Sequence, residues 1–179
     1  MPKDISAFQT RQQMVCSTFE IYHYREPYFK APDFHGHDFY ELYFFLDGGV
    51  TYHMEEKVYE LQPGDVMLIP PGKMHRPVIV EDKAVYERVV LWINRGFFHA
   101  LEEGGTQPLH LFDEAEAGRS YQLHLPEKEK EQVLDLLNSL IAEEQNDTFG
   151  RQDAQKALLT LLLITLARRQ KNSKRDVQS

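Results

Sequence analysis

His35-Gly36-His37-Asp38-Phe39-Tyr40-Glu41 is the stretch that decides how this chain folds. His35, His37 and Glu41 stand at odd positions of one short run, and along an extended strand side chains of like parity share a face. The spacing therefore predicts metal-capable donors side by side. A fourth, His75, follows Gly64-Asp65-Val66-Met67-Leu68-Ile69-Pro70-Pro71-Gly72, a strand and a proline-glycine turn that can return it to the others. Three imidazoles and one carboxylate suit Zn, Mn, Fe(II), Ni or Cu rather than Mg or Ca, with positions left open for water or a ligand. Spacing is necessary for a metal without demonstrating one, and the competing reading is a barrel lined with hydrogen-bonded polar groups.

Outward from this segment, β-rich runs recur at 19–24, 39–46, 50–54, 66–69, 75–80, 85–93 and 121–125. Asp47-Gly48-Gly49, Pro63-Gly64-Asp65 and Pro70-Pro71-Gly72 separate them, each suited to a tight reversal. Short strands at this spacing, without long helices between them, predict an antiparallel sandwich or barrel. A small helix over 96–103 is expected to cap one end. On the run 39–46, Tyr43 and Phe45 share the parity of Glu41, and Tyr43 reads as pocket wall or as core. Tyr40, Leu42 and Phe44 make the other face apolar too, so something must cover this strand from outside. Trp92 reads as core with its indole N–H paired, or as a ligand-stacking residue. His53, His99, His110 and His124 have no partner at ligand spacing and read as surface or satisfied core histidines.

The pattern changes at Pro126. Over 127–145 the residues Val133, Leu134, Leu137, Leu140 and Ile141 fall at helical spacing behind an acidic first turn. A second helix, antiparallel to the first, is expected to run to about residue 169. Its Ala157, Leu158, Leu161, Leu162, Leu163, Ile164 and Leu166 cover more than one face, so the excess is expected to meet another subunit. Leu158, Leu161, Leu162 and Leu166 are the candidate dimerisation residues. The basic stretch after it reads as a linker or frayed tail. The expected organisation is thus a barrel with an N-terminal arm over 1–125, a two-helix dimerisation appendage over 126–170, and a linker or tail over 171–179.

A chain of 179 residues supports one core of ordinary size. Its net charge of −8 would repel phosphate backbones, so this segment by itself is not expected to hold DNA. The single cysteine, Cys16, excludes an intramolecular disulfide and reads as a buried thiol in a reducing compartment. The N-terminus has no apolar signal core and no apolar run reaches membrane-spanning length, so the expected location is cytoplasmic, with no membrane partner.

The two histidine segments resemble the cupin superfamily, whose motifs are G-x5-H-x-H-x3,4-E-x6-G and G-x5-P-x-G-x2-H-x3-N. His35, His37, Glu41 and Gly48 fit the first from its H-x-H onward, and Gly64, Pro70, Gly72 and His75 fit the second. Phe29 replaces the leading glycine and Ile79 the final asparagine. The resemblance implies a cupin fold, a double-stranded β-helix or jelly-roll barrel, here followed by two antiparallel C-terminal α-helices. Within the superfamily, His37-Asp38-Phe39-Tyr40-Glu41-Leu42, the phrase from Leu61 to Pro71, and Tyr86-Glu87-Arg88-Val89-Val90-Leu91 are similar to the sensor domains of AraC-type transcription regulators, over roughly residues 10–170.

That likeness implies a small-molecule effector, such as a sugar, in a pocket that includes His35, His37, Glu41, Tyr43, His75 and Trp92. It also implies a homodimer through the helix pair, and an N-terminal arm, here over 5–13, that closes over the ligand. Regulators of this type carry two helix-turn-helix units for DNA. The leucine-rich final helix does not substitute for them, because a recognition helix presents polar and basic side chains. The expectation is therefore an excised sensor half with its DNA-binding domain outside this chain, and without enzymatic activity. The rival is a stand-alone metal-dependent enzyme, a dioxygenase, isomerase or decarboxylase, with His35, His37, Glu41 and His75 as metal ligands. A storage or structural role is a third reading that nothing in the sequence favours.

Overall fold

The computed structural model describes residues 13–27, 30–81, 85–103, 107 and 110–178. The N-terminal arm, apart from Gln13, lies outside the described residues. The strands are β1 (Phe19–Glu26), β2 (Tyr40–Asp47), β3 (Gly49–Met54), β4 (Lys57–Glu60), β5 (Asp65–Ile69), β6 (His75–Glu81), β7 (Tyr86–Ile93) and β8 (Gln122–His124). Helices α1 (Arg95–Glu102) and α2 (His110–Ala117) lie between β7 and β8, and α3 (Glu127–Gln145) and α4 (Arg151–Gln178) follow them.

The strands form two antiparallel sheets, ordered β1-β7-β2-β5-β8 and β4-β3-β6. Only Gly48 separates β2 from β3, yet these strands belong to different sheets. Its φ of 129° is a conformation that L side chains avoid, and it lets the chain step from one sheet to the other. The sheets then face each other, with Tyr43 of β2 and Tyr52 of β3 meeting at a ring separation of 4.7 Å.

Register decides which residues share the interior. Glu41 pairs with Trp92 on β7 and Ile69 on β5, and two residues on, Tyr43 pairs with Val90 and Met67. The opposite face of β2 is covered as its apolar Tyr40, Leu42 and Phe44 require, with Tyr40 against Phe98 of α1 at 4.6 Å and Phe112 of α2 at 4.7 Å.

Two elements escape the sequence reading, and two of its expectations need correction. Strand β4 was not foreseen, because its hairpin turns at Glu55-Glu56 without the usual Gly or Asn; Glu55 itself takes φ 53°. Helix α2 was also missed, although Leu111, Phe112 and Ala115 are buried at helical spacing. The stretch 171–178 is helix rather than linker. It is an unbroken continuation of α4, in which the Lys174 ammonium pairs with Glu114 of α2. Cys16 is exposed, since it precedes β1 and lies outside the barrel wall.

The helix pair shares the core of the barrel. Leu159, Leu162, Leu163 and Leu166 of α4 belong to the same buried cluster as Phe44, Leu91, Leu137 and Leu140. Leu162 and Leu166 are therefore covered within the chain and are not dimer contacts, whereas Leu161 is 44% exposed and Leu158 half-buried. The apolar excess that pointed to a second subunit is largely absorbed within the chain, against α3 and α2. No helix among the described residues is long and apolar enough to cross a membrane.

Candidate functional site

His37, Glu41 and His75 converge inside the barrel. One ligand atom from each lies within 4.8 Å of the others, and all three residues are buried. The segment that delivers them is not one continuous strand. His35 makes an isolated bridge with His75, and β2 starts only at Tyr40. Backbone bonds join His35 and His75 in both directions, and the Gly72 N–H donates to the His37 carbonyl. The segment 35–37 is thus laced to the β5–β6 turn, which is what carries His75 to Glu41.

The imidazole orientations follow from their backbone partners. Nδ1 of His35 faces the Asp33 carbonyl at 2.8 Å, that of His37 the Phe39 carbonyl at 3.0 Å, and that of His75 the Lys73 carbonyl at 2.8 Å. A carbonyl only accepts, so each Nδ1 carries a proton and Nε2 is the nitrogen left free to face the site. This is the arrangement by which metal-binding histidines are fixed through their second nitrogen.

Around Glu41 the donors are unevenly matched. Its Oε2 lies 2.7 Å from His37 Nε2 and accepts the Trp92 indole N–H at 3.1 Å. His75 Nε2 is 3.7 Å from the same oxygen, too long for a hydrogen bond, and has no hydrogen-bonding partner although buried. Burial by itself would raise the Glu41 carboxyl, but the His37 and His75 imidazoles outweigh it and hold the group well below the usual carboxylate range. Burial, and then the neighbouring His75, lower the pKa of His35, which keeps that ring neutral.

These features pass a fit test for a divalent transition metal. A buried orphan nitrogen on His75 and a second imidazole nitrogen, that of His37, converge on one buried carboxylate, a donor set that a cation among them would satisfy. His37, Glu41 and His75 would hold it. His35 stands outside that close group, half-buried, its ring 4.5 Å from His75 and 6.4 Å from His37, so the expected four-donor set is resolved into three donors and a neighbour.

Aromatic rings wall the site. Phe39 stacks on His37 at 3.8 Å and lies 4.8 Å from Trp92, and Tyr52 lies parallel to His75 at 6.1 Å. Trp92 is core and indole donor at once. Tyr43 sits one layer further in, its hydroxyl bonded to that of Tyr86. Sequence reasoning missed the layer beyond. The guanidinium of Arg88 is buried over the rings of Tyr24 and Tyr86, at 4.6 and 4.2 Å, and donates to Glu26 at 3.0 Å. The signal available was parity, since Arg88 is four residues before Trp92 on the same strand. Of the remaining histidines, His99, His110 and His124 pair with Glu102, Glu114 and Asp65, away from the site.

Comparison with solved structures finds several proteins, among them two described as cupins. They include the DMSP lyase DddQ from Ruegeria pomeroyi DSS-3, at 27% identity over 45% of this chain and 40% of that one, TM-score 0.39. They also include a Cupin 2 conserved barrel domain protein from Salinispora arenicola CNS-205, at 20% identity over 53% of this chain and 76% of that one, TM-score 0.40. An RmlC-like cupin with a double-stranded β-helix fold from Methanocaldococcus jannaschii aligns at 14% identity over 52% and 93%, TM-score 0.40. This chain thus spans less than half the length of the lyase. No curated protein matches it. The family model of the AraC-like ligand binding domain matches residues 18–163, and the chain belongs to that family.

Proposed function

We propose that this chain is the effector-sensing and dimerisation domain of an AraC-type transcriptional regulator, with DNA contacted by a separate helix-turn-helix domain. The observation that carries the reading is the buried His37–Glu41–His75 group, with an orphan Nε2, inside a domain of the AraC-like ligand-binding family. A divalent ion of the Zn, Mn, Fe, Ni or Cu class, when bound there, supplies a Lewis-acidic attachment point for an oxygen-bearing effector such as a sugar. Trp92 orients the Glu41 carboxylate, the Asp33, Phe39 and Lys73 carbonyls fix the imidazoles, and Phe39, Trp92 and Tyr52 exclude water. The chain binds a small molecule and does not transform it.

Protein prepared without a polyhistidine tag should contain near-stoichiometric transition metal by elemental analysis, and His37→Ala should lose it. Trp92 is the sole tryptophan, so its fluorescence reports on the site directly. Saturable fluorescence change with a candidate sugar, and recovery of that compound intact, is the expected result. Conversion of the compound would favour the metal-dependent enzyme instead, and metal-free protein would leave a plain polar pocket.

A further inference from the structure

We propose that α2 is a relay that ties the state of the histidine–glutamate site to the C-terminal half of α4. The proposal rests on the sensing role above, because only a sensor needs its site read at a distance.

Two contacts join α2 to residues that position the donors. Tyr40 precedes Glu41 on β2, points to the opposite face, and lays its ring 4.7 Å from Phe112 of α2. Lys73 holds His75 through its carbonyl, and its ammonium pairs with Glu116 of α2 at 3.2 Å. One links the helix to the carboxylate strand, the other to the histidine turn.

Two more join α2 to α4. The side-chain amide of Gln170, itself buried, donates to the Leu111 carbonyl at 3.0 Å, and the Lys174 ammonium pairs with Glu114. Between α4 and β8 a groove of about 360 Å³ opens, lined in part by Gln122, Leu123, Gln170 and Lys174. Arg169 ties α4 directly to the His124 carbonyl of β8 at 3.0 Å, and beyond it the Gln170 and Lys174 contacts run to α2 beside this groove. Losing a buried amide-to-carbonyl bond is costly when its partner is left unpaired. In the proposed relay the segment has two arrangements, with this bond made in one and broken in the other, and the site biases their balance, as coupling between sites requires.

The test uses the full chain and zinc alone as the probe, with zinc stoichiometry measured on the same samples. Amide hydrogen exchange is followed in fragments covering 163–175 of α4 and, as control, 133–141 of α3. Zinc should slow exchange in the α4 fragment about fivefold or more, the lower end of typical site-to-site coupling, while changing the α3 fragment by less than about twofold. The double variant Gln170→Leu with Lys174→Ala should still take up zinc and should show the same α4 exchange with and without it. Because coupling is reciprocal, zinc should bind this variant more weakly, by no more than the protection lost. Equal slowing of α3 and α4 is what general stabilisation by a ligand produces, and it would overturn the relay. So would slowing of α4 that persists in the double variant. A wild-type chain that takes up no zinc overturns the metal reading itself, a different failure that the stoichiometry identifies.

Discussion

Replacing Trp92 by Phe separates orientation of the site from packing around it. The indole N–H donates to Glu41 Oε2 at 3.1 Å, and the same oxygen lies 2.7 Å from His37 Nε2. Phe retains a ring against Phe39 and Tyr22, which lie 4.8 and 5.5 Å from the indole, but removes the donor. A buried hydrogen bond to a charged group contributes about 1.5–3 kcal/mol. The donor acts on Glu41 with or without a metal, so only the share that fixes the carboxylate's direction enters metal affinity. Outer partners of metal ligands typically account for about 10–100-fold, or about 1.4–2.7 kcal/mol. Trp92→Phe is therefore expected to weaken zinc binding by one to two orders of magnitude, measured by competition with a chromophoric chelator, with unfolding followed by circular dichroism as the check on folding. An unchanged dissociation constant in a well-folded variant would refute the reasoning and leave Trp92 a packing residue.

The helix pair and the barrel interior yield further expectations. Leu161→Asp, on the exposed face of α4, should turn dimers into monomers by sedimentation while the monomer stays folded by circular dichroism; a variant that stays dimeric refutes this face as the interface. Leu166→Ala should do the reverse, leaving the oligomeric state alone while costing about 2–5 kcal/mol in chemical denaturation, because that side chain is fully buried within its own chain. At high pH the interior tyrosines should become a liability. Burial raises Tyr43 and Tyr52 well above the ordinary tyrosine value and pushes Tyr86 up to about 12. The folded state then holds these protons more tightly than the unfolded chain, so their contribution is complete below about pH 10 and is lost at higher pH, for Tyr86 as pH rises through about 12. Tyrosinate absorbance of these residues should appear together with loss of structure, and ordinary titration inside a still-folded protein would contradict the assignment.

Much of the site was legible because its information is local. The parity of Glu41, Tyr43 and Phe45, and the proline-glycine turn before His75, depend on a few consecutive residues, and the register of β2 with β5 and β7 preserves that parity. The paired indole of Trp92 was likewise foreseeable, since a buried N–H must find an acceptor. What proved illegible depends on partners distant in sequence. His35 bridges to His75, so the H-x-H segment bends away from β2 instead of extending it, and His35 leaves the close donor group. The leucines of α4 show a broad apolar surface without showing what covers it. In the fold, Leu162 and Leu166 go to the chain's own core, and only Leu161 and part of Leu158 remain.

By itself, then, the sequence determined the β-rich first part and the helical end of the chain, apart from β4 and α2, together with the two-motif resemblance and the four candidate donors, because periodicity of two or 3.6 residues and turn chemistry act over short distances. The tertiary structure alone decided which donors meet, which nitrogen of each imidazole faces them, and that α2 stands between the sheet and the end of α4. Those outcomes are set by register and by side-chain packing across separate sheets and helices, where a shift of one residue exchanges the two faces of a strand.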